Sequence, residues 1–329
     1  MGNEIATEVW FPDAYDMRSG EFSLVRTDRA QLASQSFLDG RWERSACQRR
    51  RVKQDTIFTS PAAQMPRLNF IWHTGFCCST LLAKALDFPG RNLSLCEPSV
   101  LVDVADGKRS GTAIPSKQMF ELLAGAGETS EIVTVKPSPS TNCLLRDAVD
   151  TTAGQMLLLY SDCRSFVVSI AKMGEEGRKY VRRLYLALIN DGHVQAKWPP
   201  ANVFALSDLE LASVVWHMQI AEFRRHSLGH RAASLNCEVL LSNSREILGR
   251  LAEFFSLRFG YDHVATVADG PLFQRNAKSG VEGFSTRQRR EEHRRIEESL
   301  GADLDRIVEQ SYRACSDTPR PNPLPESVL

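Results

Sequence analysis

RLNFIWHTGFCCSTLLAKAL, residues 67–86, holds the change of pattern on which the fold of this chain turns. From Arg67 to Trp72 the residues are mostly apolar and too few for a helix, so the run predicts a short buried strand. It stops abruptly at His73, Thr74 and Gly75, and from Ser79 to Leu86 the apolar residues recur at helical spacing until Pro89 and Gly90 end the pattern. Strand, tight turn and helix in that order leave unpaired backbone N–H groups and a partial positive charge at the start of the helix. The segment His73, Thr74, Gly75, Phe76, Cys77, Cys78, Ser79, Thr80 is therefore a candidate phosphate cradle. Gly75 lets the backbone come close to a ligand, and Thr74, Ser79 and Thr80 add hydroxyl donors. The turn lacks the Gly-Lys-Ser/Thr ending of a Walker loop. An ordinary strand-to-helix turn with Ser79 or Thr80 as N-cap accounts for the same residues.

Outward from this unit, Ile132 to Val135, Met156 to Tyr160 and Ala232 to Cys237 read as further strands. Helices are predicted at about Arg164 to Leu188, Asp208 to His226, Ser242 to Phe255 and Thr286 to Leu300. Strands alternating with helices predict an α/β fold with a doubly wound parallel sheet flanked by helices. The expected organisation is a polar, irregular extension over residues 1–66 packed on the core, one domain over 67–315, and a disordered or surface tail over 316–329. The alternation of charges at Arg287, Arg289, Arg290, Arg294 and Arg295 with Glu291, Glu292, Glu297 and Glu298 predicts a helical surface of paired charges.

Composition limits the partners. Forty basic and forty acidic residues among 329 leave no global field to draw the chain to nucleic acid or an anionic membrane. Any anion site has to be local. The eight cysteines show no C-x-x-C pair and no zinc spacing, which suits reduced thiols and predicts no metal site. The first ten residues carry Glu4 and Glu8 and no apolar run, so the expected compartment is the cytoplasm.

Four segments, taken in order, resemble the landmarks of the sulfotransferase family. Gly75-Phe76-Cys77-Cys78-Ser79-Thr80-Leu81-Leu82 is similar to the family's P-loop-like motif in its ending and departs from it where a basic residue is usual. Glu97, in Leu93-Ser94-Leu95-Cys96-Glu97-Pro98, stands where some branches place a catalytic glutamate. Val135-Lys136-Pro137-Ser138 resembles a Lys-Asp-Pro turn without its aspartate. Tyr160-Ser161-Asp162-Cys163-Arg164, continuing to Ser169, resembles the 3′-phosphate motif, with Ser161 in the place of its arginine. Leu235 to Leu241 and Ile247 to Phe255 look like the strand and helix that follow.

The resemblance implies a P-loop-type fold over about Arg67 to Lys278 and transfer of a sulfuryl group from 3′-phosphoadenosine 5′-phosphosulfate to a hydroxyl or amine, without a metal. It implies Glu97 as general base, with His73 as a second candidate, and Lys136 as the cation at the leaving oxygen. Thr74 to Thr80 would hold the 5′-phosphate; Asp162, Arg164 and Ser169, joined by Lys278, would hold the 3′-phosphate. The acceptor, a small molecule or a peptide, has no readable motif. A P-loop kinase or hydrolase, a nucleotide-binding protein without turnover, and a repurposed enzyme of the same fold stay open. Glu97 before Pro98 is equally a solvated loop residue, and Arg164 and Ser169 equally belong to an ordinary helix start. Trp216 reads as helix core or a pocket wall.

Overall fold

A computed structural model of the chain describes residues 8–57, 64–192, 203, 205–225, 231–274, 286–315, 318, 320, 323 and 324. In chain order the strands are β1 (Glu8–Asp16), β2 (Glu21–Asp28), β3 (Arg49–Lys53), β4 (Leu68–His73), β5 (Asn92–Cys96), β6 (Ile132–Lys136), β7 (Met156–Tyr160) and β8 (Ala232–Asn236). The helices are α1 (Arg29–Ser34), α2 (Ser79–Leu86), α3 (Val100–Arg109), α4 (Ser116–Ala124), α5 (Leu145–Thr151), α6 (Cys163–Lys172), α7 (Gly174–Asn190) and α8 (Asp208–Arg225). They continue with α9 (Cys237–Ser242), α10 (Ser244–Phe254), α11 (Tyr261–Asp269), α12 (Thr286–Leu300) and α13 (Ala302–Ala314).

β4 to β8 form a parallel sheet in the order β5-β6-β4-β7-β8, so the apolar run read first in the sequence is its central strand. Every residue of β4 is buried, as a strand covered on both faces requires. Its period of two divides the interior. Leu68, Phe70 and Trp72 join Met156 and Leu158 in a core against α3, α4 and α6 to α8, while Ile71 joins Leu157 and Leu159 in a second core under α2 and α9 to α11. Each large apolar side chain so buried contributes on the order of 1.5–3 kcal/mol. Asn69, the one amide inside β4, is satisfied: it donates to Phe255 O at 3.1 Å and accepts from Gln155 N at 2.9 Å.

Three features depart from the sequence expectation. The segment before residue 67, read as irregular, contains β1, β2 and β3 paired as an antiparallel sheet. Its inner residues Phe11, Phe22 and Leu24 extend the larger core, and its outer charges pair across strands, as Arg51 and Lys53 do with Glu21. The single helix expected from Arg164 to Leu188 is two, α6 and α7, because Gly174 takes a φ of 55° and turns the chain. Gly177 then lies so close to α6 that a Cβ there would be 2.3 Å from Ile170 O. The helix expected from Ser242 to Phe255 begins only at Ser244, after the short α9.

Thr318 and Leu324, in the stretch expected as a tail, are buried, and Thr318 Oγ1 lies 3.0 Å from His217 Nδ1. No described helix is long and apolar enough to cross a membrane.

Candidate active site

In an open parallel sheet the strand order reverses beside the first strand, and ligands sit at the carboxyl ends there. β4 is that strand, flanked by β6 and β7. His73 ends β4, Lys136 ends β6, Glu97 follows β5 and Ser161 follows β7, so the sheet delivers all four to one edge.

The turn after β4 is shaped by three positive φ angles, 83° at Gly75, 53° at Phe76 and 59° at Cys78. The last two cost on the order of 1–3 kcal/mol each in side chains that normally avoid this region. The Thr74 N–H donates to Leu159 O at 3.2 Å, which anchors the turn to β7. Cys78, not Ser79 or Thr80, is the N-cap of α2, and it provides no side-chain cap. The first N–H groups of α2 therefore stand at the turn without the oxygen that Ser, Thr or Asp normally supplies, an arrangement suited to an anion.

His73 organises this turn from beneath. Its Nε2 lies 2.9 Å from Pro137 O, and its Nδ1 accepts the Gly75 N–H at 3.1 Å. A carbonyl only accepts, so the proton is on Nε2 and the lone pair of Nδ1 is already used. Asn142 Nδ2 adds a bond to His73 O at 3.2 Å. With both nitrogens engaged, the imidazole positions the turn instead of facing an acceptor.

Glu97 and Lys136 face each other. Lys136 is fully buried, and its Nζ is 2.5 Å from Glu97 Oε1. Glu97 has a φ of 53°, held by its own N–H donating to Lys136 O at 2.7 Å. Its other oxygen accepts from Arg41 Nη2 at 3.0 Å; Arg41 also pairs with Asp39 and lies 3.3 Å from the ring centre of Phe37. The same ring is 5.5 Å from Lys136 Nζ. A carboxylate between two cations, with an aromatic face closing one side, is a low-dielectric charged site, where a proton acceptor and a fixed cation have most effect. Arg41 and Phe37 come from the N-terminal segment, where no sequence motif marks them.

No sequence motif marks Tyr180, on α7, either. Its hydroxyl is buried with no hydrogen-bond partner among the described residues, and burial, with the nearby Glu97 carboxylate, holds its pKa above the usual phenol range. It lies over Gly75, where a Cβ would be 2.6 Å from the phenol oxygen. Phe76 packs edge-on against both Tyr180 and Phe166. Cys77 is buried, donates toward Leu159 O at 3.6 Å, and burial pushes its thiol up to about 12; burial likewise raises Cys96 to about 11. Both act as small fillers rather than nucleophiles. Gly75→Ala should cost about 1–3 kcal/mol through its φ alone, and more through the clash. Thermal unfolding checks this: Gly75→Ala should melt lower, and adding Tyr180→Phe should recover only part of the loss.

The residues expected around a 3′-phosphate are not gathered in the same way. Asp162 caps α6, accepting from Ser165 N at 2.8 Å and Ser165 Oγ at 2.9 Å. Arg164 faces outward and pairs with Asp305 of α13. The Ser169 hydroxyl donates to Ser165 O at 2.8 Å and lies 3.5 Å from His293 Nε2. Ser161 Oγ is buried with no partner among the described residues, and Trp216, part of the α8 core, donates to Ser161 O at 2.8 Å. Lys278 lies outside the described residues.

The α12 charges divide. Arg294 and Arg295 pair with Glu291 along the helix surface, whereas Arg289 is buried, reaches Glu238 and sits beside Cys78 and Cys237. Alternating sign along a sequence does not reveal which single arginine turns inward. Among the described residues no group of three or more His, Cys, Asp or Glu is placed to hold a metal.

No family model and no curated protein matches the chain. Among solved structures it is similar to a sulfotransferase domain from the curacin biosynthetic pathway, at 13% identity and a TM-score of 0.46, covering 75% of this chain and 98% of that one. It is also similar to a sulfotransferase domain from the Synechococcus PCC 7002 olefin synthase (11%, TM-score 0.40, covering 77% and 97%) and to the sulfotransferase STF9 from Mycobacterium avium (10%, TM-score 0.39, covering 73% and 77%). Likenesses this distant say nothing about chemistry, which has to be read from the side chains.

Proposed function

We propose that the chain is a sulfotransferase-like enzyme that moves a sulfuryl group from 3′-phosphoadenosine 5′-phosphosulfate to a hydroxyl or amine. The observation that carries the reading is the buried Lys136–Glu97 pair at 2.5 Å, held at the carboxyl ends of two adjacent strands beside an uncapped helix start. The 5′-phosphate would lie on the N–H groups of the turn and α2. The acceptor oxygen or nitrogen attacks sulfur, its proton passes to Glu97, and the bond from sulfur to the bridging phosphate oxygen breaks with its electron pair on that oxygen. An ammonium has three donors. One is used on Glu97, which leaves Lys136 able to meet the bridging oxygen as charge builds on it. Arg41 holds the second Glu97 oxygen, and the Tyr180 hydroxyl, without a partner among the described residues, offers a donor over the turn.

One observation favours a second reading, an enzyme of the same fold with another donor. With Ser161 in place of arginine and Arg164 turned to Asp305, neither of these two motif positions presents a cation to a 3′-phosphate. Equilibrium binding separates the two. Preference for adenosine 3′,5′-bisphosphate over adenosine 5′-phosphate and ATP supports the first reading, and its absence sinks it.

A further inference from the structure

We propose that a cavity between α10 and α11, apart from the candidate active site, binds a free amino acid with an aromatic side chain, held as its zwitterion. The cavity has a volume of about 720 Å³, within the range of roughly 300–1,000 Å³ typical of small-molecule sites. Asn69, near the start of β4, donates to Phe255 O, so the end of α10 and the loop after it lie toward the amino edge of the parallel sheet, opposite the turn that follows β4. The wall from α10 is one helical face: Arg245, Gly249, Ala252, Glu253 and, past the helix end, Ser256. Phe259, Tyr261 and Val264 close it from the loop and α11.

Two local features are costly to the fold and converge on this wall. Gly249 sits inside α10, where glycine weakens a helix relative to alanine, yet it has no positive φ and a Cβ there would meet no atom within 4 Å. Neither a turn nor close packing requires it; its missing side chain leaves open space in the cavity. Arg258 takes a φ of 52°, a conformation that a long side chain normally avoids. Ser256, at 58°, is accounted for by the end of α10: its N–H donates to Glu253 O at 3.0 Å and the Leu257 N–H to Ala252 O at 2.8 Å, the two bonds of a Schellman close. Among the described residues no such pair involves Arg258, whose strained backbone brings it to the cavity wall.

The charges of the wall sort by partner. Arg250 pairs with Glu246 at 2.8 Å, and Arg245 pairs with Asp269. Arg258 and Glu253 are left: among the described residues neither side chain has an ion-pair or hydrogen-bond partner, and they do not pair with each other. A ligand that uses both carries a carboxylate for the Arg258 fork and an ammonium for Glu253. The rest of the wall suits a ring. Phe259 is fixed by edge-on contacts with Phe88 at 5.7 Å and His263 at 4.9 Å, and Tyr261 is left 73% exposed, so aromatic faces are available to a third ring. An α-amino acid with an aromatic side chain has all three parts.

The test is calorimetric titration of the full chain with three indoles of one shape: tryptophan, tryptamine, which lacks the carboxylate, and indole-3-propionate, which lacks the ammonium. Tryptophan should bind with a submillimolar dissociation constant and each of the others about tenfold more weakly, the loss expected for one charge-assisted contact. Arg258→Gln should bring tryptophan down to the level of tryptamine, and Glu253→Gln to that of indole-3-propionate. Gly249→Leu should abolish binding by filling the space, while melting no lower than the unsubstituted chain, since leucine favours the helix. No binding of tryptophan up to the millimolar range, equal or tighter binding of either one-charge indole, or unchanged tryptophan binding in a folded Gly249→Leu variant overturns the proposal. None of these readouts depends on what the turn after β4 binds.

Discussion

Lys136→Ala should lower turnover by about a hundredfold or more while donor affinity changes little, because the ammonium acts on charge that develops only as the bridging bond breaks. Turnover is read as release of adenosine 3′,5′-bisphosphate from the donor in the presence of a mixed panel of phenols, alcohols and amines. The substitution also removes a buried cation from a carboxylate, a change that costs up to about 3–5 kcal/mol when the remaining charge is left uncompensated. Here the cost should be smaller, since Glu97 keeps Arg41 at 3.0 Å and is partly exposed. Folding of the variant has to be checked alongside turnover. A folded Lys136→Ala protein with near-normal turnover would remove Lys136 from the mechanism.

Glu97→Gln should abolish transfer in a protein that still folds and binds donor. Glutamine keeps the volume and one hydrogen-bond acceptor but cannot take the acceptor's proton at neutral pH. It leaves buried Lys136 without its countercharge, so a stability loss of up to a few kcal/mol is expected. The paired variant Lys136→Met with Glu97→Gln separates the two roles: it should recover stability, as buried ion pairs replaced together often do, and stay inactive. Full activity in Glu97→Gln would hand the proton to another group. His73 is poorly placed to take it, because Nε2 donates to Pro137 O and Nδ1 is held by the Gly75 N–H.

The central strand and its turn were legible because their signals are local: six residues of apolar run, a stop at Gly75, and helical spacing after it. β1 and β3 were not. Both strands carry charges, Glu8, Arg49, Arg50 and Arg51; Glu8, Arg49 and Arg51 pair with charges on other strands and Arg50 stacks on Trp10, and none of these partners is adjacent in sequence. For the same reason Arg41 escaped notice, since its place beside Glu97 is set by a contact 56 positions away. Glu97 and Lys136 were found through a resemblance, and their 2.5 Å contact follows from strand pairing of Cys96 with Lys136. Arg164 shows the opposite case, a motif residue that the fold turns toward α13.

Calorimetric titration of the purified chain with adenosine 3′,5′-bisphosphate, against adenosine 5′-phosphate and ATP, tests the central claim most directly. The account predicts a dissociation constant on the order of micromolar, about −8 kcal/mol, for the bisphosphate, with the two controls at least about tenfold weaker. No heat from the bisphosphate, or tighter binding of ATP, would contradict it and assign the turn after β4 to another ligand.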